Sequence, residues 1–319
     1  GVAYRLAREL KRIYPNKELR FIINQTEELN LIKKNDDIIV IDYKDVDKIE
    51  QPADLIIETF ACNIPEIYMG KALKSSKLMI NLEYFSSEDW VDDFHLQESF
   101  LGGNLKKYFF IPGLSEKSGG IIQNKVQKNR EYYLKQFNID EKYDLIISVF
   151  SYEKNFDNFL KTLQKLDKKV LLLLLSEKTQ KNFIKYFDNN DYYDKIKAVK
   201  LPFFTYDKYE ELLALCDINL VRGEDSFVRA LLLAKPFLWH IYPQDENTHI
   251  IKLESFLEKY CPNNKELKET FINYNINKDD FSYFFENLDK IKKYNEKYAD
   301  YLIENCNLMN KLINFIEKI

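Results

Sequence analysis

Short apolar runs separated by segments of helical periodicity recur along nearly the whole chain, and this alternation restricts the fold more than any other feature. In the first half the runs are Leu19 to Ile23, Ile38 to Ile41, Asp54 to Ile57, Leu78 to Asn81 and Lys107 to Ile111. Helical patterns lie between several of them, notably Pro65 to Leu73, where proline suits a first helical turn. An amphipathic helix, Val2 to Tyr14, opens the chain with Val2, Leu6, Leu10 and Ile13 on one face, and a helix this early is expected to follow a strand and a turn. The second half repeats the scheme with strands Asp144 to Phe150, Val170 to Leu175, Lys197 to Leu201, Ile218 to Val221 and Pro236 to Ile241. Between them, helices are predicted from Phe156 to Leu166, Lys178 to Phe187, Asp207 to Leu215 and Phe227 to Ala234. Such alternation predicts parallel sheets with helices on both faces: an α/β chain of two Rossmann-like doubly wound domains.

With 319 residues the chain suits two domains of about 150 each. Pro112-Gly113 and Ser118-Gly119-Gly120 read as turns, and the loss of apolar periodicity from there to Glu131 predicts an exposed loop. The boundary is expected between Lys125 and Tyr143, giving a first domain over 1–130 and a second over 143–297. Helices are predicted from Phe281 to Lys292 and from Tyr298 to Ile316, the last long enough for residues 298–319 to return to the first domain.

Composition removes several classes of function. The 47 basic and 51 acidic residues leave a net charge of −4, so no overall basic field attracts nucleic acid. Cys62, Cys216, Cys261 and Cys306 are scattered, with no C-x-x-C pair and no histidine at ligand spacing; they read as buried thiols of a reducing cytosol rather than as disulfides or a zinc site. The longest aliphatic run, Val170 to Leu175, is far short of the roughly 20 residues that span a bilayer, and no signal peptide is seen. Neither Gly-x-Gly-x-x-Gly nor a P-loop lysine motif occurs, and no nucleophilic Ser or Cys sits in an elbow motif.

The stretch from Leu220 to Gln244 carries the strongest chemical signal. Arg222, Gly223, Glu224, Asp225 and Ser226 follow a strand and precede a helix, so backbone N–H groups and the positive helix end favour an anion there. Asp225 or Ser226 is expected to cap that helix, which leaves Glu224 unexplained by capping. His240, Tyr242 and Gln244 are polar at the end of the next strand, where ligands of open α/β sheets bind. Phe150 and Tyr152, and Phe203 and Tyr206, stand at two further strand ends; they suit either a planar base or the core, since the chain has 23 Phe and 22 Tyr. In the first half the strand ends carry Glu58, Phe60, Cys62, Asn81, Glu83 and Tyr84, and Ser86 to Trp90 reads as a serine-capped helix start. Trp90 and His95 read as packed boundary residues.

Two Rossmann-like domains with a nucleotide site in the second and a returning terminal helix describe a GT-B glycosyltransferase. Residues Arg222 to Ala230, with Lys235-Pro236-Phe237 and Trp239 to Gln244, resemble the elongation factor P arginine rhamnosyltransferases, the EarP family. Gly1-Val2 with Tyr4 to Arg8, Phe60-Ala61-Cys62 with Pro65-Glu66, Asn81 to Tyr84 with Glu88 to Val91, Phe110 to Gly120 and Phe150 to Glu153 resemble further family segments. The resemblance implies an inverting, metal-independent transfer of rhamnose from dTDP-β-L-rhamnose to an arginine of translation elongation factor P, in the cytoplasm and without a cofactor. By similarity, Phe150, Tyr152, Phe203, Tyr206 and Tyr209 surround the nucleotide, and Arg222, Glu224, Asp225, Ser226, Tyr242 and Gln244 the diphosphate and sugar. Glu224 ranks first as the catalytic residue: an acid beside a diphosphate is repulsive unless it accepts from a sugar hydroxyl or pairs with a cation such as the incoming guanidinium. Glu83 and Trp90 are assigned to the acceptor side.

Two departures qualify the resemblance. The family usually has Gln where this chain has Tyr206. The family's Asp-Asn-(Phe/Tyr)-Gly-Asp-Ile segment is expected just before Gly1, and one of its acids is the implied general base on the guanidinium; the chain as written is expected to bind donor but transfer poorly. Two other readings stay open, a GT-B transferase using another nucleotide sugar and a non-catalytic module that binds elongation factor P.

Overall fold

The computed structural model describes all residues except 25, 28, 30–35, 102, 104, 124–129, 138, 140, 141, 188–193 and 279. The chain divides into two compact units, one of Gly1–Gln123 with Leu302–Ile319 and one of Asn124–Tyr301. Part of the boundary expected between Lys125 and Tyr143 lies outside the described residues; within it, Arg130–Gln136 forms a helix that the sequence reading did not draw.

In the first unit, helix α1 (Val2–Ile13) precedes strands β1 (Arg20–Ile23) and β2 (Ile39–Asp42), which pair in parallel as a two-stranded sheet. Strand β3 (Leu55–Thr59), helix α2 (Glu66–Ser75), strand β4 (Leu78–Leu82), helix α3 (Trp90–Phe94) and strands β5 (Glu98–Ser99) and β6 (Lys106–Phe110) follow, with sheet order β3-β4-β6-β5. All pairs are parallel except β5 with β6. The apolar face of α1 works on both sheets. Tyr4 meets Phe21 of β1 edge-on at 5.8 Å, while Leu6 enters the core formed by Leu78, Ile80, Leu82 and Phe110.

Residues 124–129 of the expected exposed loop lie outside the described residues, and the described stretch that leads into them, Ile111 to Ile122, is instead largely buried. Ile111, Leu114, Ser118, Ile121 and Ile122 are each at most 4% exposed. Glycine allows this, because it lets backbone and ring approach where a side chain would collide. A Cβ on Gly119 would lie 2.6 Å from the Phe110 ring, and one on Gly120, at φ +74°, 2.5 Å from the Cys306 carbonyl oxygen. The terminal helix is likewise interrupted. It runs as α12 (Leu288–Asn305) and α13 (Leu308–Ile316), because Ile121 donates to the Cys306 carbonyl at 2.8 Å and accepts from Leu308 N–H at 3.0 Å, a strand-like bridge that no continuous helix can make. Asn307 then caps α13 by accepting from Asn310 N–H. Lys311 of α13 donates to the carbonyls of Ser115, Glu116 and Ser118, which ties the glycine-rich segment down.

The second unit opens with α4 (Arg130–Gln136) and alternates strand and helix regularly: β7 (Leu145–Val149), α5 (Asp157–Lys165), β8 (Val170–Leu174), α6 (Glu177–Phe187), β9 (Ile196–Lys200), α7 (Tyr206–Leu215), β10 (Ile218–Arg222), α8 (Gly223–Leu232) and β11 (Phe237–His240). The strands form one parallel sheet in the order β11-β10-β7-β8-β9. β7 and β8 are buried at every position, as continuous aliphatic runs in a parallel sheet should be. Helices α9 (Thr248–Tyr260), α10 (Lys265–Ile276) and α11 (Ser282–Glu286) follow, and α12 carries the unit to Tyr301. Beneath α8 lies an aromatic core: Phe227 stacks on Trp239 at 4.0 Å and meets Phe256 edge-on at 4.8 Å. Truncating a ring buried in this way costs about 3–5 kcal/mol, so the start of α8 rests on a firm base.

Candidate functional site

The order of the second sheet places its switch point between β7 and β10. From β7 the chain adds β8 and β9 on one side and then returns to add β10 and β11 on the other. Two connections therefore leave neighbouring carboxyl ends in opposite directions, which opens a crevice between them, the place where open α/β sheets bind ligands. Phe150, Ser151 and Tyr152 follow β7 there, and Arg222 ends β10.

Strand passes into helix at a single residue. Arg222 is extended, with φ −131° and ψ 165°, and Gly223 begins α8 at φ +63°, a conformation that glycine adopts without the Cβ penalty. Trp239 Nε1–H holds the turn by donating to the Gly223 carbonyl at 2.9 Å. The cap expected from Asp225 or Ser226 is not formed. Because the helix starts at Gly223, both residues lie inside its first turn and the N-cap position falls to Arg222, whose side chain makes no cap hydrogen bond. A helix start favours an anion through its leading N–H groups and the helix dipole.

The Arg222 guanidinium carbon sits 4.4 Å from the Phe150 ring centroid and 4.7 Å from that of Tyr152. Among the described residues no carboxylate pairs with it. A cation–π contact consumes no N–H donor, so the side chain is held in place while its fork stays available to an anionic ligand. Burial lowers the Arg222 pKa, with the Tyr152 and Tyr209 phenols acting in the opposite sense, yet an arginine stays charged throughout the physiological range. Burial raises the Tyr152 phenol, against the pull of Arg222. Tyr209 meets Phe150 edge-on at 5.8 Å, and burial raises its phenol well above the ordinary value. Tyr242, 62% exposed, meets Tyr152 edge-on at 5.4 Å.

The structure therefore links Phe150, Tyr152, Tyr209, Arg222 and Tyr242 in one chain of contacts, with Glu224, Asp225 and Ser226 in the adjoining first turn of α8. Asp225 lies 3.9 Å from Arg229, one turn along. Tyr206 opens α7, one turn before Tyr209. Phe203 is 74% exposed in the connection before α7, and exposed Gln244 donates its N–H to His249 Nδ1 at 3.2 Å; neither joins that chain of contacts. His240, which the sequence placed at a ligand-binding strand end but in no assigned role, and Ser151, given no role of its own, bring their side chains together at 2.8 Å beside Tyr152. The signal for His240 was a polar residue closing an otherwise apolar strand, whereas Ser151, two residues beyond the end of β7, carried none.

In the first unit, Glu83 follows β4 and accepts from Asn81 Nδ2 at 2.6 Å. Trp90, 43% exposed, begins α3 and meets Phe94 edge-on at 6.2 Å. The expected serine cap forms one turn early: Ser86 Oγ accepts from Glu88 N–H, and the helix itself starts after Asp89. Nearby, Phe60 and Ala61 both adopt positive φ, and the Phe60 ring stacks on Tyr84 at 4.6 Å. Among the described residues no three His, Cys, Asp or Glu side chains gather closely enough to hold a metal ion, and no helix is long and apolar enough to cross a membrane.

Against known proteins, the family model described as Elongation-Factor P (EF-P) rhamnosyltransferase EarP matches residues 1–317. The chain is 37% identical over 231 residues to a protein-arginine rhamnosyltransferase of Pseudomonas aeruginosa, covering 66% of this chain and 61% of that protein. It is 35% identical over 249 residues to one of Shewanella oneidensis, covering 66% and 62%. The chain thus spans about three fifths of the length of the curated relatives it matches. A solved structure of EarP, from work on arginine glycosylation of translation elongation factor EF-P, aligns with TM-score 0.55 and 24% identity over 66% of this chain and 76% of that one. MurG of Acinetobacter baumannii aligns with TM-score 0.53 and 10% identity over 100% of this chain and 96% of that one, so the fold is GT-B.

Proposed function

We propose, on the premise that this chain belongs to the EF-P rhamnosyltransferase family, that it transfers rhamnose from dTDP-β-L-rhamnose to an arginine of EF-P in the cytoplasm. The observation that carries the proposal is Arg222, set between two aromatic rings at the sheet's switch point and directly before the start of α8. Those two features supply a fixed cation and a row of N–H donors for a diphosphate.

In an inverting transfer, a guanidinium nitrogen attacks the anomeric carbon, the bond from that carbon to the diphosphate oxygen breaks, and dTDP leaves with the electron pair. Negative charge grows on the departing oxygen, and the charge of Arg222 with the α8 N–H groups stabilises it where it forms. The attacking nitrogen must lose a proton, which an arginine with its very high pKa yields only to a carboxylate held close by. Glu224, in the first turn of α8, accepts from a sugar hydroxyl or pairs with the incoming guanidinium. Asp225, Ser226, Tyr242 and Gln244 line the diphosphate and sugar, Phe150, Tyr152, Phe203, Tyr206 and Tyr209 the nucleotide, and Glu83 with Trp90 the acceptor.

Calorimetric titration with dTDP and UDP, then incubation of the full-length protein with dTDP-rhamnose and EF-P, tests this reading. Tighter binding of dTDP and a mass increase on one EF-P arginine are expected. Tighter UDP binding would assign another nucleotide sugar, and EF-P binding without a mass increase would leave a binding module.

A further inference from the structure

His240 closes β11, a strand whose other members, Phe237, Leu238 and Trp239, are apolar and buried. It is itself only 4% exposed. An imidazole in such a place carries a desolvation cost that a fourth apolar residue would not, so its polar contacts are informative. Its Nδ1 lies 2.8 Å from Ser151 Oγ, and Ser151 is fully buried. The Ser151 hydroxyl also lies 2.9 Å from the Tyr152 carbonyl, which Asn182 Nδ2 satisfies at 2.9 Å. Thr179 Oγ1 accepts from Ser151 N–H at 2.9 Å and donates to the Ser151 carbonyl at 3.1 Å. The peptide that carries Tyr152 is therefore fixed from α6 on one side and from His240 on the other.

The ring itself continues the chain. His240 meets Tyr152 edge-on at 5.3 Å, with planes 81° apart, and Tyr274 of α10 meets His240 at 5.6 Å. Tyr152 turns its face to the Arg222 guanidinium, and Arg222 is the register partner of His240 across the β10–β11 pair. Burial also drops the His240 pKa to about 3, with Lys154 and Arg222 acting in the same sense, so the ring is neutral wherever the protein works. It adds no second charge beside the diphosphate.

We propose that His240 is a positioning residue for the diphosphate site: Ser151 anchors its ring, the ring edge fixes Tyr152, and Tyr152 with Phe150 holds the Arg222 guanidinium toward the diphosphate. The proposal rests on the donor reading above.

A double-mutant cycle on dTDP affinity tests it, using His240→Ala, Arg222→Ala and the pair, with thermal melting to confirm that each folds. His240→Ala is expected to weaken dTDP binding about 10-fold and Arg222→Ala about 10- to 100-fold, the span of hydrogen bonds to a charged group. A residue acting through Arg222 has little left to lose once Arg222 is gone, so the pair should bind no more than about 2-fold more weakly than Arg222→Ala alone. In turnover, His240→Ala should raise KM for dTDP-rhamnose and leave KM for EF-P unchanged, a split that a general loss of stability does not produce. Should His240→Ala not fold, His240→Asn, which keeps a partner for Ser151 and removes the ring edge, enters the same cycle with the same expectations. Losses that multiply, or wild-type affinity in His240→Ala, would overturn the inference alone. Failure of the wild-type protein to bind dTDP would overturn the donor reading and the inference with it.

Discussion

The carboxyl edges of the two units are built differently. In the second unit, one five-stranded parallel sheet ends in a crevice whose side chains are already held: Arg222 by two rings, Tyr152 by His240 and Tyr242, Gly223 by Trp239. In the first unit the strands form separate two- and four-stranded sheets, and the edge beyond β3 and β4 carries strain and unmet polar capacity. Phe60 and Ala61 sit at φ 59° and 48°, which costs roughly 1–2 kcal/mol for each residue. Asn81 is 3% exposed and, among the described residues, its Oδ1 has no hydrogen-bond partner. Tyr84, Trp90 and Phe94 stand 43–58% exposed. A fixed set of donors suits a small anion that is the same in every turnover, whereas exposed rings around a strained loop suit a surface completed by a partner. The difference teaches that donor and acceptor functions should be separable by mutation.

Four experiments could break that contrast. Glu224→Ala should lower transfer by about 100- to 1,000-fold, the scale of losing one group that acts in the transition state, while dTDP binding stays within a few-fold and the fold is kept. Wild-type turnover in this variant would remove Glu224 from the site. Gly120→Val should destabilise the first unit by about 3 kcal/mol or more, since a side chain there faces both a positive φ and the Cys306 carbonyl. Denaturant unfolding should then show the first unit melting early while dTDP still binds.

Acid should weaken both units. Burial, the first cause in each case, drops His95 to about 4 and His240 to about 3 from an ordinary value of 6.5. Below pH 6.5 the unfolded chain therefore takes up protons that the folded chain refuses, and stability falls with falling pH. Between pH 7 and pH 5 each histidine accounts for about 2 kcal/mol. Urea unfolding at pH 7 and pH 5 measures it, and equal stability at the two would contradict the assigned burial. The smallest effect is expected from Glu83→Gln, with KM for EF-P raised about 10-fold through loss of one charge-assisted contact, and dTDP affinity unchanged. A change in dTDP affinity there would put Glu83 on the wrong side of the division.

Much of this was legible in the residues, for physical reasons. Continuous aliphatic runs such as Val170 to Leu174 admit little but a buried parallel strand, and the turn at Gly223 showed itself by a glycine between a strand and a helix. What escaped depended on long-range contact. The segment around Gly119 and Gly120 has the composition of an exposed turn, and only the Phe110 ring and the Cys306 carbonyl packed against it explain why it is buried. The break at Cys306 and Asn307 follows from pairing with Ile121, far away in sequence, which no local periodicity reports. His240 looked like one polar residue at a strand end, and its place beside Ser151 and Tyr152 depends on the order in which β7, β10 and β11 pair.

On the proposed function, the turn from Arg222 into α8 holds a nucleotide sugar for transfer to an arginine. The most direct test of this is the intact mass and peptide map of EF-P after incubation with the full-length protein and dTDP-rhamnose, with Glu224→Ala and Arg222→Ala run beside the wild type. One rhamnose on one arginine is expected with the wild type and almost none with either variant. An unmodified EF-P with the wild type, or full modification with both variants, would contradict it.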